Sequence, residues 1–152
     1  MEFEVRENYR CTKEGLELLV TRPDFLKVTV NDPVQRQYLF TKGPKVFTKI
    51  AGQYIEKTGT DWREFFPYRR MARIVQDDAL AHIRVATPLF GNEQSIILPY
   101  YSQPYNPSTP GQNPIEPNDE AQEELWDILS TGIPMEFFIE PKGDLIIVDP
   151  HA

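Results

Sequence analysis

The nineteen residues from Pro99 to Pro117 hold six of the chain's fourteen prolines and neither a lysine nor an arginine. Each proline fixes φ and removes a backbone donor, so this stretch is open neither to a helix nor to a central strand. It interrupts an otherwise globular pattern as an extended arm or long loop over residues 99–118, and loops of that length in compact domains tend to be functional or mobile. Pro104, Pro107 and Pro110 recur at the three-residue period of a polyproline II helix, the spacing of a PxxP ligand, but the basic residue that usually flanks such ligands is missing. Tyr100, Tyr101 and Tyr105 give the arm an apolar surface to lay on a neighbouring subunit.

Around the arm, short patterns alternate between strand and helix. Residues 2–5, 25–30 and 36–40 read as strands, and 16–20 fits either state. A helix is predicted over 44–57, where Val46, Phe47, Ile50, Ala51, Tyr54 and Ile55 recur at helical spacing behind Pro44. Asp61 and Glu64 form a capping pattern for a second short helix that Pro67 ends. Residues 72–76, 80–87 and 94–98 read as strands, with Gly91-Asn92 turning between the last two. After the arm, Asn118 and Asp119 cap a helix to about Ser130, and 135–140 with 145–148 make a hairpin. Strands in pairs with two to three inserted helices predict an α+β fold with a mainly antiparallel sheet. At 152 residues, 40% of them hydrophobic, the chain reads as one domain able to build a core.

Charge is distributed unevenly. Residues 1–75 carry fourteen Lys/Arg against ten Asp/Glu, whereas 76–152 carry two against thirteen, giving nets of +4 and −11 within a total of −7. Such a division bears on partners rather than on fold. The basic part concentrates in 36–73, where aromatics such as Tyr38, Phe47, Trp62 and Tyr68 lie between the cations. Lys42, Lys45 and Lys49 fall on one side of the predicted 44–57 helix, near an amino terminus whose open amides favour an anion. Trp62, Phe65 and Phe66 read as the buried face of a short helix, leaving Arg69, Arg70 and Arg73 outside as surface cations for an anion or partner. Beyond the arm, Asp119, Glu120, Glu123, Glu124 and Asp127 form an acidic docking face.

Enzyme signatures are weak. His82 points outward from an apparent strand, and His151 is the penultimate residue. Glu140-Pro141-Lys142, with Asp77 and Asp78, has the spacing of a class of metal-dependent nucleases, but Pro141 and Gly143 place it in a turn rather than on a strand. The chain has no GxSxG, P-loop, dinucleotide fingerprint or HExxH. Cys11 is a single cysteine, so neither an internal disulfide nor a zinc cluster is expected; Arg6, Arg10 and Lys13 adjoin it in sequence. No catalytic residue, metal or cofactor is assigned.

The amino terminus is charged from Glu2 and lacks the apolar region of a signal peptide, and aliphatic runs such as Leu145–Val148 are far shorter than the roughly 20 residues that span a bilayer. The expectation is a soluble, non-secreted cytoplasmic protein, of a cell or of an infected host. The leading function is a non-enzymatic interaction or assembly protein, such as a viral or phage-type oligomeric subunit or an adaptor. It would join its basic 36–73 and acidic 116–149 surfaces to protein partners, its own copies first among them. The alternatives are nucleic-acid binding through 36–73, and an inhibitor or immunity-type binder of another protein.

Overall fold

In the computed structural model, which describes residues 3–4 and 8–151, the elements run in chain order as follows. They are β1 (Phe3–Glu4), β2 (Arg10–Cys11), α1 (Lys13–Thr21), β3 (Arg36–Lys42), β4 (Lys45–Ile50), β5 (Tyr54–Thr58), α2 (Phe65–Asp77), β6 (Ile83–Val85), β7 (Phe90–Gly91), β8 (Ser95–Pro99), β9 (Pro104–Tyr105), α3 (Asp119–Leu129), β10 (Glu136–Ile139) and β11 (Leu145–Val148). The fold is α+β with mainly antiparallel pairing, as the sequence predicts. Its contacts separate into two compact units, Met1–Phe65 with Thr87–Tyr100, and Phe66–Ala86 with Tyr101–Ala152.

The first unit is a seven-stranded sheet in the order β1-β2-β7-β8-β5-β4-β3. One face packs on Cys11, Phe25, Leu26, Val30, Ile50, Leu89, Phe90 and Ile97. The Phe25 ring lies edge-on to Tyr54 at 4.8 Å and stacked with Phe90 at 5.6 Å. Thr12 caps α1 by accepting from the Gly15 amide, and its hydroxyl donates to the Pro88 carbonyl. The helix lies so close to the chain at Leu89 that a Cβ on Gly15 would stand 2.1 Å from the Leu89 carbonyl oxygen.

The second unit contains a four-stranded sheet, β6-β11-β10-β9, with only the β6–β11 pair parallel. Met71 from α2 and Leu125 and Ile128 from α3 meet Phe137, Ile139, Leu145 and Ile147 of this sheet in a single core.

Several sequence expectations are corrected. Residues 44–57 are not a helix but the β4–β5 hairpin, with Ile50 opposite Tyr54. Val46, Thr48, Ile50, Ile55 and Thr58 are β-branched and favour the pleated backbone, while Ala51 and Gly52 take left-handed φ of 53° and 71° and reverse the chain. Residues 25–30 are not a strand: Phe25–Thr29 form a π-helical turn that buries Phe25, Leu26 and Thr29 on one side. Residues 72–76 are helical rather than extended, because Pro67 does not stop α2. It is the third helical residue, inside the first turn, where its missing N–H costs nothing. The strand expected over 80–87 shrinks to Ile83–Val85 and pairs with β11; the two-residue turn expected at Gly91-Asn92 is not formed, since Gly91 belongs to β7 and residues 92–94 turn the chain from β7 into β8. Of the 2–5 strand, residues 3–4 are strand, while 2 and 5 lie outside the described residues.

The proline-rich segment is pinned along its length. Pro104 and Tyr105 pair with Phe138 and Phe137 as an edge strand. Asn113 then ties the following turns by donating to the Thr109 carbonyl at 3.0 Å and accepting from the Asn106 amide at 2.9 Å. With strand at Pro104 and turns at Pro107 and Pro110, no continuous polyproline II edge forms.

Candidate interaction surface

The α3 helix begins where the sequence predicts. Asn118 takes an extended conformation (φ −64°, ψ 167°) and its side-chain oxygen accepts from the Ala121 amide at 2.8 Å. Acidic residues in the first turn complement the helix dipole. Ala121, Leu125 and Ile128 are buried, and on the opposite side Asp119, Glu120, Gln122, Glu123, Trp126 and Asp127 are exposed. Trp126 is 75% exposed and lies one or two turns along from Glu123 and Asp119 on that outer side. A tryptophan left this open, on a helix that buries Ala121, Leu125 and Ile128 and leaves Leu129 40% exposed, forgoes roughly the 1.5–3 kcal/mol or more that burying a large apolar side chain returns.

A polar hub anchors the start of this helix. Asp144, at the end of the β10–β11 turn, accepts from the Asn118 side-chain amide at 2.9 Å and from His82 Nδ1 at 3.0 Å, and lies 3.1 Å from Lys142 Nζ. The Asn118 bond, with those from His82 and Lys142, holds the Asp144 carboxyl down at about 2. The bond to Asp144 and the fields of Asp144, Glu124 and Glu120 push the His82 imidazole up, favouring the doubly protonated ring. Glu124, the one carboxylate of the acidic set turned inward, accepts from the His82 backbone amide at 2.8 Å. Gly143 lets the turn approach: its φ is +95°, and a Cβ there would meet the Asn118 nitrogen at 2.7 Å.

The predicted basic site is dismantled by the fold. With no helix at 44–57, Lys42, Lys45 and Lys49 have no helix amino terminus to share. Lys42 and Lys45 face one another across the β3–β4 turn, Lys45 lies 3.5 Å from Glu64, and Lys49 Nζ sits 4.4 Å over the Tyr100 ring. Lys57 is buried and bonded to Glu64 at 3.0 Å, Arg36 is paired with Glu56, and Arg63 lies 2.9 Å from Asp61. Arg69, Arg70 and Arg73 belong to the other unit, on the exposed side of α2. The stretch 36–73 is therefore split between units. The first unit carries eleven Lys/Arg against eleven Asp/Glu, and the second five against twelve, so the positive half seen in the sequence disappears and the −7 resides in the second unit.

The remaining candidates are also placed. Tyr105 is buried in the core of its unit, so its ring is not an arm contact, while Tyr100 and Tyr101 are half-buried. The Glu140-x-Lys142 motif does sit in a turn, with Glu140 2.6 Å from Arg84, and Asp77 and Asp78 close α2. His151 lies 3.6 Å from Asp149. Cys11 is fully buried, and burial pushes its thiol up. Among the described residues no group of three or more His, Cys, Asp or Glu is arranged to hold a metal ion, and no helix is long and apolar enough to cross a membrane.

Sequence reasoning misses three features. Trp126 is findable, since it falls opposite Leu125 and Ile128 on a helical projection. Phe66, expected on a buried face, is 40% exposed, while Phe65 alone of that pair is buried. The Asn118–Asp144–His82 hub joins positions up to 62 residues apart and leaves no local signal. Compared with protein-family models, curated proteins and solved structures, the chain matches none.

Proposed function

We propose that this chain is a non-enzymatic interaction or assembly subunit that docks through the outer face of α3. The observation that carries this reading is Trp126, 75% exposed among the carboxylates of Asp119, Glu123 and Asp127 on a helix anchored by its own cap. Tryptophan at the centre of a polar rim is the usual composition of an interface hot spot. The carboxylates select a basic partner and speed its encounter, and the excess negative charge of this unit extends that field. Nucleic acid fits less well, because the cations of the first unit are matched by its own carboxylates.

Capture from the native host tests this. Proteins retained by the wild type and released by salt should be lost with Trp126→Ala and with Glu123→Lys/Asp127→Lys. Retention of the same proteins by all three baits would remove the α3 face from the account.

A further inference from the structure

We propose that the partner of the α3 face is a second copy of this chain, docking through the outer face of its α2; this rests on the reading of α3 as a docking surface and names the occupant. On α2, Phe66, Arg69 and Arg73 lie at i, i+3 and i+7 on the exposed side, opposite the buried Tyr68 and Met71. On α3, Asp119, Glu123 and Trp126 lie at i, i+4 and i+7. Each stripe therefore covers eight residues, seven helical steps, or about 10 Å at the helical rise.

Laid antiparallel, the two stripes match position by position. Trp126 meets Phe66, Glu123 meets Arg69, and Asp119 meets Arg73. The Arg69 guanidinium already lies 5.6 Å from the centre of the Phe66 ring, which gives an incoming indole a combined aromatic and cationic platform. Parallel docking would set Trp126 against Arg73 and Asp119 against Phe66, losing both the ring pair and an ion pair. Antiparallel docking also brings opposite ends of the two helix dipoles together. Charge thus fixes orientation, and the paired rings supply the apolar contact at one end of the stripes.

Sedimentation of the purified full chain at low and high salt tests the proposal. The mass should rise above 17.7 kDa with concentration at low salt and return to it at high salt. Arg69→Glu/Arg73→Glu and Asp119→Arg/Glu123→Arg should each weaken association at least about tenfold, the effect of losing ~1.4 kcal/mol. An equimolar mixture of the two should associate again, because the reversed stripes complement one another. Circular dichroism checks folding; should a reversal unfold, Arg69→Gln/Arg73→Gln and Asp119→Asn/Glu123→Asn replace it with the same expectation. A wild type monomeric at every concentration and salt, unchanged association in the folded variants, or a mixture that stays monomeric overturns self-docking. If host partners are still lost from the α3 variants, only the identity of the occupant fails; if they are retained, the docking surface itself fails.

Discussion

At the scale of single residues, two effects compete at Gly15, and distance decides between them. Alanine is better than glycine inside a helix by about 1 kcal/mol. Yet the added methyl would press within 2.1 Å of the Leu89 carbonyl oxygen, which is backbone and gives little. Gly15→Ala is expected to destabilise by about 1–3 kcal/mol, the range of overpacking, read by urea denaturation. Trp126→Ala should do the reverse of a core change: stability within about 0.5 kcal/mol of wild type, but partner affinity reduced by about 2 kcal/mol or more. The contrast separates a docking anchor from a structural residue. The two residues differ in how legible they are from local pattern. Gly15 shows its role only when Leu89, far along the chain, is in place, whereas Trp126 falls away from Leu125 and Ile128 on a helical projection of α3.

Elements that are legible in the sequence are those whose local and long-range demands agree. The α3 helix has its Asn118 cap and a stripe of Ala121, Leu125 and Ile128, and the β10–β11 hairpin has Gly143 at its turn; both appear where the sequence predicts them. The 44–57 segment is misread because a hairpin turn at Ala51-Gly52 places apolar residues on both arms at spacings that also fit a helix. Pro67 misleads because a proline in a first turn and a proline that ends a helix look alike in sequence. The hub that seats α3 gives a pH signature. The folded state raises the His82 value above its ordinary 6.5, so its contribution is complete below about 6.5 and is lost as pH rises through the raised value. The folded state lowers Asp144 from 3.8 to about 2, so its contribution is present above 3.8 and lost as pH falls toward 2. Urea denaturation across pH should therefore show the neutral-side loss flattened in His82→Gln and the acid-side loss flattened in Asp144→Asn.

For the whole molecule, the fold redistributes what the linear sequence separates. The chain crosses between its two compact units three times, so a division of charge at residue 75 does not survive as a division between units. The basic stretch becomes a locally neutralised sheet region plus an arginine-bearing helix, and the acidic excess gathers in the unit of α3. The −7 total is thus informative about partners only after the units are known. No reading of composition supplies that, because unit membership is set by long-range pairing such as β6 with β11. What remains is a face with an open tryptophan and surrounding carboxylates. Hydroxyl-radical footprinting reads that ring directly, as oxidation of Trp126 measured by mass spectrometry. Oxidation should be ready in the dilute purified protein at high salt and fall several-fold in the native cellular extract at low salt; equal oxidation in the two would contradict a docking role for α3.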